Sequence, residues 1–463
     1  MAAPVTPEEW LPVLTKRLDA ERPRIDRLRS YTNGDAPLPE AGPNIRAAWS
    51  SFQRKARHNV GELIVEAPAE RIICNQLVVA GTTGDNNEAR RIWVENRMAV
   101  ALGDTVRDML TVGTGYMIIG TANGRPVITS EKPEYVYAAT DPLRPWIARA
   151  VVKVWRDVDA EADYAYVWAN GVKQRYWRPM YDDPSAQTKA LISKASGNWK
   201  PAEGEPETYQ GTPPVVVFQN HDGTGEFEPH TDGIDRINKE TLDRLVTQAM
   251  QAFRQRFLEG GLPKNDPETG EPIDYAAIFV PAPGAVWDLP EGVTLKETQE
   301  SAQSIMSMLA AEKDDFRNLA AETRTPLPML VPEGANQSAA GAEAAKEGLV
   351  MKTKDRIERI KPAGSEVMTR AMKVLNPDFD STVELGFADP TFVTFAEKHE
   401  ANVKAKAGDV PWRKRMIDIL GYSADEVDEM QVEREEEQLA TQVALAAAQP
   451  PAAQEPQSAP VAA

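Results

Sequence analysis

Cysteine is nearly missing from this chain: Cys74 stands alone among 463 residues, so no internal disulfide can brace the fold. The expectation is a reducing compartment, with Cys74 as a small buried residue. Long apolar runs are missing too. The nearest, "YAAIFVPAPGAVW" from Tyr275 to Trp287, is cut by Pro281 and Pro283 and falls short of the roughly 18 to 20 apolar residues that a membrane span needs. The opening "MAAPVTPEEWLPVLTKRLD" has early acids, prolines and no apolar core of signal-peptide length, so the sequence predicts a soluble protein with no membrane partner. Basic residues are in deficit, 52 Lys and Arg against 70 Asp and Glu, for a net charge of −18. That sign works against any protein that holds nucleic acid by neutralising phosphates. What the chain does have is length and a 42% hydrophobic content, enough for two or three domains with buried cores.

Apolar spacing predicts a helix from Thr6 to Arg29, with Trp10, Leu14, Leu18, Ile25 and Leu28 on one side, Thr6 as cap, and Glu8 and Glu9 in the first turn. Residues 47–73 read as a second helix leading into the strand "CNQLVVAG". Another helix, "EARRIWVENRMAVALGDTVRDMLTVG", stops at Gly113. From Gly115 to Gln219 the pattern is β, with hairpin turns at Asn123-Gly124 and Asn170-Gly171, because both central positions of the favoured turn need positive φ. The fold class is therefore α+β, helices first and antiparallel strands after. A long helix from Asp232 to Gly260 follows, then a Pro-rich interlude with room for one or two short strands, then a second long helix ending near Glu322. A third helix, from about Ser338 to Ile360, is expected to end or kink at Lys361-Pro362. Beyond a further helical piece, "GSEVMTRAMKVL", come two or three more helices, Ser423 and Glu426 having capping-box spacing at the last. The Ala/Pro/Gln-rich tail reads as disordered.

Catalytic and ligand motifs are scarce. "VGTGYMIIG" is neither GxGxxG nor GxxxxGK(S/T), and a hairpin pattern follows it where a phosphate cradle needs a helix N-terminus. No nucleophile-elbow GxSxG occurs. "NHDGTGEFEPHTD" gathers His221, Asp222, Glu226, Glu228, His230 and Asp232, but in no metal-ligand spacing, and a hydrated loop is the simpler reading. His58 and His399 stand singly in helical patterns, and Asn336-Gln337-Ser338 matches a glycosylation acceptor only formally. The C-terminal "VPWRKRMIDILGYSADEVDEMQVEREEEQ" has the outline of a helix-turn-helix, yet its second helix is acidic, the wrong sign for a major groove. The sequence therefore predicts no cofactor and no catalytic residues.

Between the second and third long helices lies "TRTPLPMLVPEGANQSAAGAEAAK", Thr323 to Lys346, nearly uncharged and punctuated by Pro and Gly. The order of parts, with this loop between long helices, resembles the portal proteins of tailed bacteriophages. Local phrases carry the same resemblance: "YTNGDAPLPE", "IVEAPAERIICNQLVVAG", "MLTVGTGYMIIG", "PPVVVFQN" and the loop itself are similar, in collinear order, to segments of the siphophage branch. The segment "FAEKHEANVKAKAGDVPWRKRMIDILGYSADEV" is similar to the C-terminal region of actinobacteriophage portals.

The resemblance implies a portal fold with wing, long-helix stem, small β-containing clip and helical crown. Carried onto this chain it gives 1–231 as wing, 232–260 as first stem helix, 261–297 as clip, 298–322 as second stem helix and 323–341 as tunnel loop. Residues 342–385 would be a long kinked helix returning to the wing, 386–448 the crown, and 449–463 a disordered tail. It also implies a homo-oligomeric ring, usually of twelve, at one capsid vertex of the virion, assembled in the host cytoplasm. Its partners would be the terminase large subunit, head-completion or adaptor proteins, major capsid and scaffold proteins, and double-stranded DNA passing without sequence specificity. The DNA-facing loop residues would be Thr325, Pro326, Pro328, Pro332, Gly334, Asn336 and Ser338, and Lys346, Lys352 and Lys354 would either ring the channel or form an ordinary solvated face. Two other readings stay open: a non-ring scaffold or adaptor, and an enzyme with an unrecognised site in the α+β domain.

Overall fold

The computed structural model describes residues 3–40, 50–81, 86–180, 192, 194–252, 256–259, 264–266, 269–274, 294–297, 302–331, 339–391, 395–422 and 424–448. The chain divides into two compact units, one of residues 1–26, 65–226 and 346–463, the other of residues 27–64 and 227–345.

The first unit is built on antiparallel strands: β1 (Cys74–Val79), β2 (Thr114–Ala122), β3 (Arg125–Glu131), β4 (Val136–Thr140), β5 (Ala148–Asp157), β6 (Ala162–Ala169), β7 (Val172–Pro179), β8 (Lys200–Pro201), β9 (Glu207–Thr208) and β10 (Val215–Gln219). One sheet runs β4-β5-β6-β7-β8 with β9 also on β7, and a second runs β10-β2-β3. Both predicted hairpins form, with Asn123, Gly124, Asn170 and Gly171 at φ of 51°, 73°, 51° and 77°. The helix Pro7–Thr32 starts as its sequence dictates. Thr6 Oγ1 accepts from Glu9 N at 3.3 Å, and Glu9 Oε2 accepts from Thr6 N at 3.2 Å and Val5 N at 2.7 Å. Its Trp10, Leu11, Leu14 and Leu18 bury against Ala150, Val152, Val154, Ala165 and Val167 on one face of the larger sheet. Val151 and Trp168, pointing the other way, pack with Tyr116, Ile118 and Val215 of the smaller one.

Four helical expectations need correction, the last of them in the second unit. The helix predicted up to Gly113 is two, Asn87–Glu95 and Met98–Val112, with Arg97 at φ 50° between them. Asn96 makes the break worthwhile: its Nδ2 donates to Ile92 O at 2.9 Å and Pro126 O at 3.2 Å, and its Oδ1 accepts from Ile128 N at 2.8 Å. The predicted 47–73 helix appears as Ser50–Lys55 and Val60–Ala69, since the His58 N–H is drawn off to Asn238 Oδ1 at 2.9 Å. Conversely, Pro362 does not end the helix, which runs from Ala339 to Leu375. The ring of Pro362 removes one backbone hydrogen bond, and burial of Ile357 and Ile360 before it and Val367, Met368 and Ala371 after it offsets that loss.

Beyond this helix, "VELGF" forms a strand the sequence did not suggest. In the ribbon Leu77 pairs with Leu385 and Val79 with Val383. Ser365 Oγ and Thr369 Oγ1 accept from Leu385 N and Val383 N, fastening the ribbon to the helix. Cys74, at the ribbon's start, is half-buried rather than buried. The C-terminal region has helices Phe395–Ala407, Trp412–Arg415 continuing into a π-turn Met416–Leu420, and Ala424–Ala448. Met416, Ile417 and Val427 form its small core with Trp412, Leu420 and Tyr422. Ser423 and the 449–463 tail lie outside the described residues.

The second unit is dominated by helices Thr231–Ala252 and Ala302–Thr323. The first was expected through Gly260. It stops at Ala252, and Arg256–Glu259 becomes strand β11, pairing antiparallel with β12 (Thr294–Glu297), so ladder hydrogen bonds replace helical ones over those four residues. Most of residues 261–293 lie outside the described set. With β13 (Val383–Phe387) the strand count of the described residues is complete.

Candidate functional site

The uncharged loop after Thr323 begins from a tightly made helix end. Thr325 N donates to Ala320 O at 3.0 Å and Arg324 N to Ala321 O at 3.3 Å, the paired bonds of a Schellman stop. Arg324 takes the left-handed position, φ 53°, where glycine is usual. Thr323 Oγ1 donates to Leu319 O at 2.7 Å and lies 3.0 Å from Thr325 Oγ1, whose hydroxyl can donate to it. Pro326 then starts the short helix Leu327–Leu330, whose Leu330 is buried. Thr325 and Pro326, both predicted to face DNA, are buried anchors of this turn. Pro328 is exposed, and Pro332, Gly334, Asn336 and Ser338 lie outside the described residues. Arg324, exposed at the loop's root, escaped sequence reading because nothing local marks it as the stop residue.

Behind the loop, the two long helices of the second unit are joined by a polar ladder. His230 Nδ1 lies 3.3 Å from Glu322 Oε2, and Arg236 Nε donates to Asp315 Oδ2 at 2.7 Å. Thr241 Oγ1 donates to Glu312 Oε1 at 2.8 Å and Arg244 Nε to Glu312 Oε2 at 2.9 Å. These pairs run in opposite directions along the two helices, so the helices are antiparallel. His58 closes the ladder, with Nε2 3.0 Å from Thr241 Oγ1 and its ring edge-on to Phe316 at 5.6 Å. Burial pushes the His58 imidazole below its ordinary value, partly countered by Glu312 and reinforced by Arg244.

The three candidate channel lysines do not share a setting. Lys346 is exposed, and Lys354 is exposed with its Nζ 3.6 Å from Asp389. Lys352 is a correction: its side chain is 5% exposed and its Nζ lies 3.1 Å from Glu226 Oε2. Glu226, 3% exposed, also accepts from Arg356 Nε at 2.5 Å and Asn220 Nδ2 at 3.0 Å. Burial alone would raise the Glu226 carboxyl, but Lys352 and then Arg356 hold it below the usual carboxylate value. A lysine that must neutralise a buried acid is structural, not a free cation for passing phosphates.

The remaining motifs resolve into packing. Glu226 is committed to Lys352 and Arg356, His221 to Asp222 at 2.9 Å and His230 to Glu322, so the acidic loop disperses. Among the described residues no group of three or more His, Cys, Asp or Glu side chains could hold a metal ion. In "VGTGY", a Cβ on Gly113 would fall 2.0 Å from Gly223 O, and one on Gly115 2.5 Å from Thr105 O. These glycines permit close backbone approach and leave no room for a phosphate. No helix among the described residues is long and apolar enough to cross a membrane.

Residues 12–440 match the family model described as phage portal protein, SPP1 Gp6-like. No curated protein matches the chain. Among solved structures, the chain is similar to one from the virion of a native gene transfer agent particle, at 13% identity and TM-score 0.43, covering 85% of this chain and 98% of the other. It is similar also to chains from the neck of the empty particle with C6 symmetry, at 13% identity, TM-score 0.44, 84% and 97% coverage. A third is from the neck of the native particle with C12 symmetry, at 13% identity, TM-score 0.41, 85% and 98% coverage.

Proposed function

Since this chain belongs to the SPP1 Gp6-like phage portal proteins, we propose that it forms a ring-shaped channel at one vertex of a capsid, through which double-stranded DNA is packaged and later ejected. The observation that carries this reading is the family match, which spans residues 12–440 and leaves no large region of the chain to another function.

In this reading residues 1–231 act as wing and the two antiparallel helices of the second unit as stem. The segment from β11 to β12 is the clip that meets the terminase large subunit and later the head-completion proteins. The loop from Thr323 faces the channel from its buried Thr325-Pro326 root. The ring, of about twelve copies by family resemblance, contacts major capsid and scaffold proteins and has no catalytic chemistry of its own. A net charge of −18 per chain gives the ring a field that repels a sliding polyanion, which favours passage over retention.

Light scattering of the purified native protein, with negative-stain images of the same peak, tests the proposal. A particle of about a dozen 51.0 kDa chains around a central hole is expected. A small defined oligomer without a hole, under conditions where capsid and scaffold partners are supplied, overturns it.

A further inference from the structure

Three Asn-Gly pairs occur in the chain, Asn33-Gly34, Asn123-Gly124 and Asn170-Gly171. Such a pair is chemically labile, because glycine has no side chain to shield its amide nitrogen from the amide carbon of the asparagine before it. The glycine nitrogen bonds to the asparagine Cγ and gives its proton to water, and the side-chain nitrogen departs as ammonia. Water then opens the five-membered imide at either carbonyl, leaving aspartate or a β-linked aspartate whose main chain is one carbon longer. No other reagent enters. The ring closes only when the backbone leaves its folded turn, so the rate at each pair follows the ease of local opening.

The two hairpin pairs have the same backbone conformation, so only their surroundings distinguish them. Asn170-Gly171 is held inside the larger sheet: Ala169 pairs with Ala150 of β5, Val172 with Thr208 of β9, and Tyr209 N donates to Gly171 O at 2.9 Å. Trp168 and Ala169, leading into that turn, are buried. Asn123-Gly124 projects instead. The pairing of β2 with β10 stops at Ile118 and Val215, with Ile119 N donating to Pro214 O, and β3 is the edge of its sheet, so the tip is two strands alone. A two-stranded hairpin is marginal by itself, and Gly120 weakens this one further. Every residue from Gly120 to Gly124 is exposed, and no atom lies within 4 Å of a Cβ built on Gly124. Arg125 Nε donates to Glu95 Oε2 at 2.8 Å, an exposed pair that holds the tip weakly. The third pair, Asn33-Gly34, is fastened on both sides. Asp35 N donates back across it to Ser30 O at 2.8 Å, and Arg57 Nη1 donates to Asp35 Oδ1 at 2.5 Å and Ala36 O at 3.0 Å.

We propose that Asn123 is the site at which this protein modifies itself with age, converting to aspartate and β-linked aspartate while Asn170 and Asn33 persist. The β-linked product puts an extra main-chain carbon into a two-residue turn, which that turn cannot accommodate, so conversion loosens the hairpin tip. Either product also adds an acid beside Arg125, which already faces Glu95 and Glu88.

The test is peptide mapping by mass spectrometry of the full chain, aged in mildly alkaline buffer made with heavy-oxygen water, which labels each site opened by hydrolysis. Electron-transfer fragmentation tells the β-linked product from ordinary aspartate. In the folded protein Asn123 is expected to convert about tenfold faster than Asn170 or Asn33, because its turn opens without disturbing a third strand or a buried side chain. In concentrated urea, where no turn is held, the three rates are expected to draw together. Equal rates in the folded protein overturn the proposal. So does a gap that persists unchanged in urea, which would assign it to the neighbouring residues in sequence, or an Asn123 that converts in urea and not in the folded chain.

Discussion

Replacing Glu226 by glutamine probes the buried ionic cluster between the strand-end loop and the Ala339–Leu375 helix. The carboxylate serves Arg356 at 2.5 Å, Lys352 at 3.1 Å and Asn220 at 3.0 Å, and is itself 3% exposed. Glutamine keeps the shape and loses the charge, leaving the Lys352 ammonium and the Arg356 guanidinium side by side without their shared anion. Breaking a buried pair from one side costs about 3–5 kcal/mol, several times what an exposed pair is worth. The assay is urea unfolding followed by tryptophan fluorescence, repeated across pH. Because the folded-state pKa of Glu226 is depressed, its contribution is full above the unfolded carboxylate value of about 4.3 and is lost as pH falls through the lower folded value. The wild-type protein should therefore lose this increment in acid, and Glu226→Gln should lack it at every pH. A Glu226→Gln unfolding free energy within about 1 kcal/mol of wild type at pH 7 would refute the reasoning, since the cluster would then be behaving as a solvated surface pair.

Two further outcomes follow from the second unit. Arg324→Gly removes a left-handed non-glycine residue from the helix stop, and should raise the unfolding free energy by about 1 kcal/mol net of the added freedom of the unfolded chain; a lower value would mean that the Arg324 side chain anchors the loop. His58→Gln should flatten the acid limb of the stability curve: the folded-state imidazole titrates below its unfolded value of about 6.5, so wild-type stability is full above that pH and falls as pH drops below it. An equally steep limb in the variant, or an imidazole proton resonance titrating above 6.5, would assign the sensitivity to another group.

Elements whose causes are local could be read from the sequence. The Asn-Gly turns, the Thr6 and Glu9 cap and the Gly113 stop each depend on residues within four positions of one another, and each formed. Elements decided at a distance could not. The breaks at His58 and Asn96 answer to Asn238, Pro126 and Ile128, and the strand β11 answers to residues 294–297. Lys352 looked like a solvent-facing helical lysine because its partner is far off in sequence, as Glu226 is from Arg356, 130 positions apart. At the loop, Thr325 and Pro326 were expected to face DNA, but the turn that ends the preceding helix buries both. Composition carries no marker of that burial.

The ribbon that joins β1 to β13 has a consequence for how this protein is made. Ser381 Oγ bonds to Ala80 O across 301 positions, so Leu77 and Val79 leave the ribosome long before the strand that covers them exists. At about 5–20 residues per second that interval is about 15–60 s. Throughout it β1 is a single strand without its ladder partner, because β1 and β13 form a two-stranded ribbon of their own, while residues 227–345 of the other unit are still being added. Synthesis therefore passes through a window in which the backbone groups and apolar side chains of β1 wait for their partner, and the ribbon closes only once residue 387 has emerged.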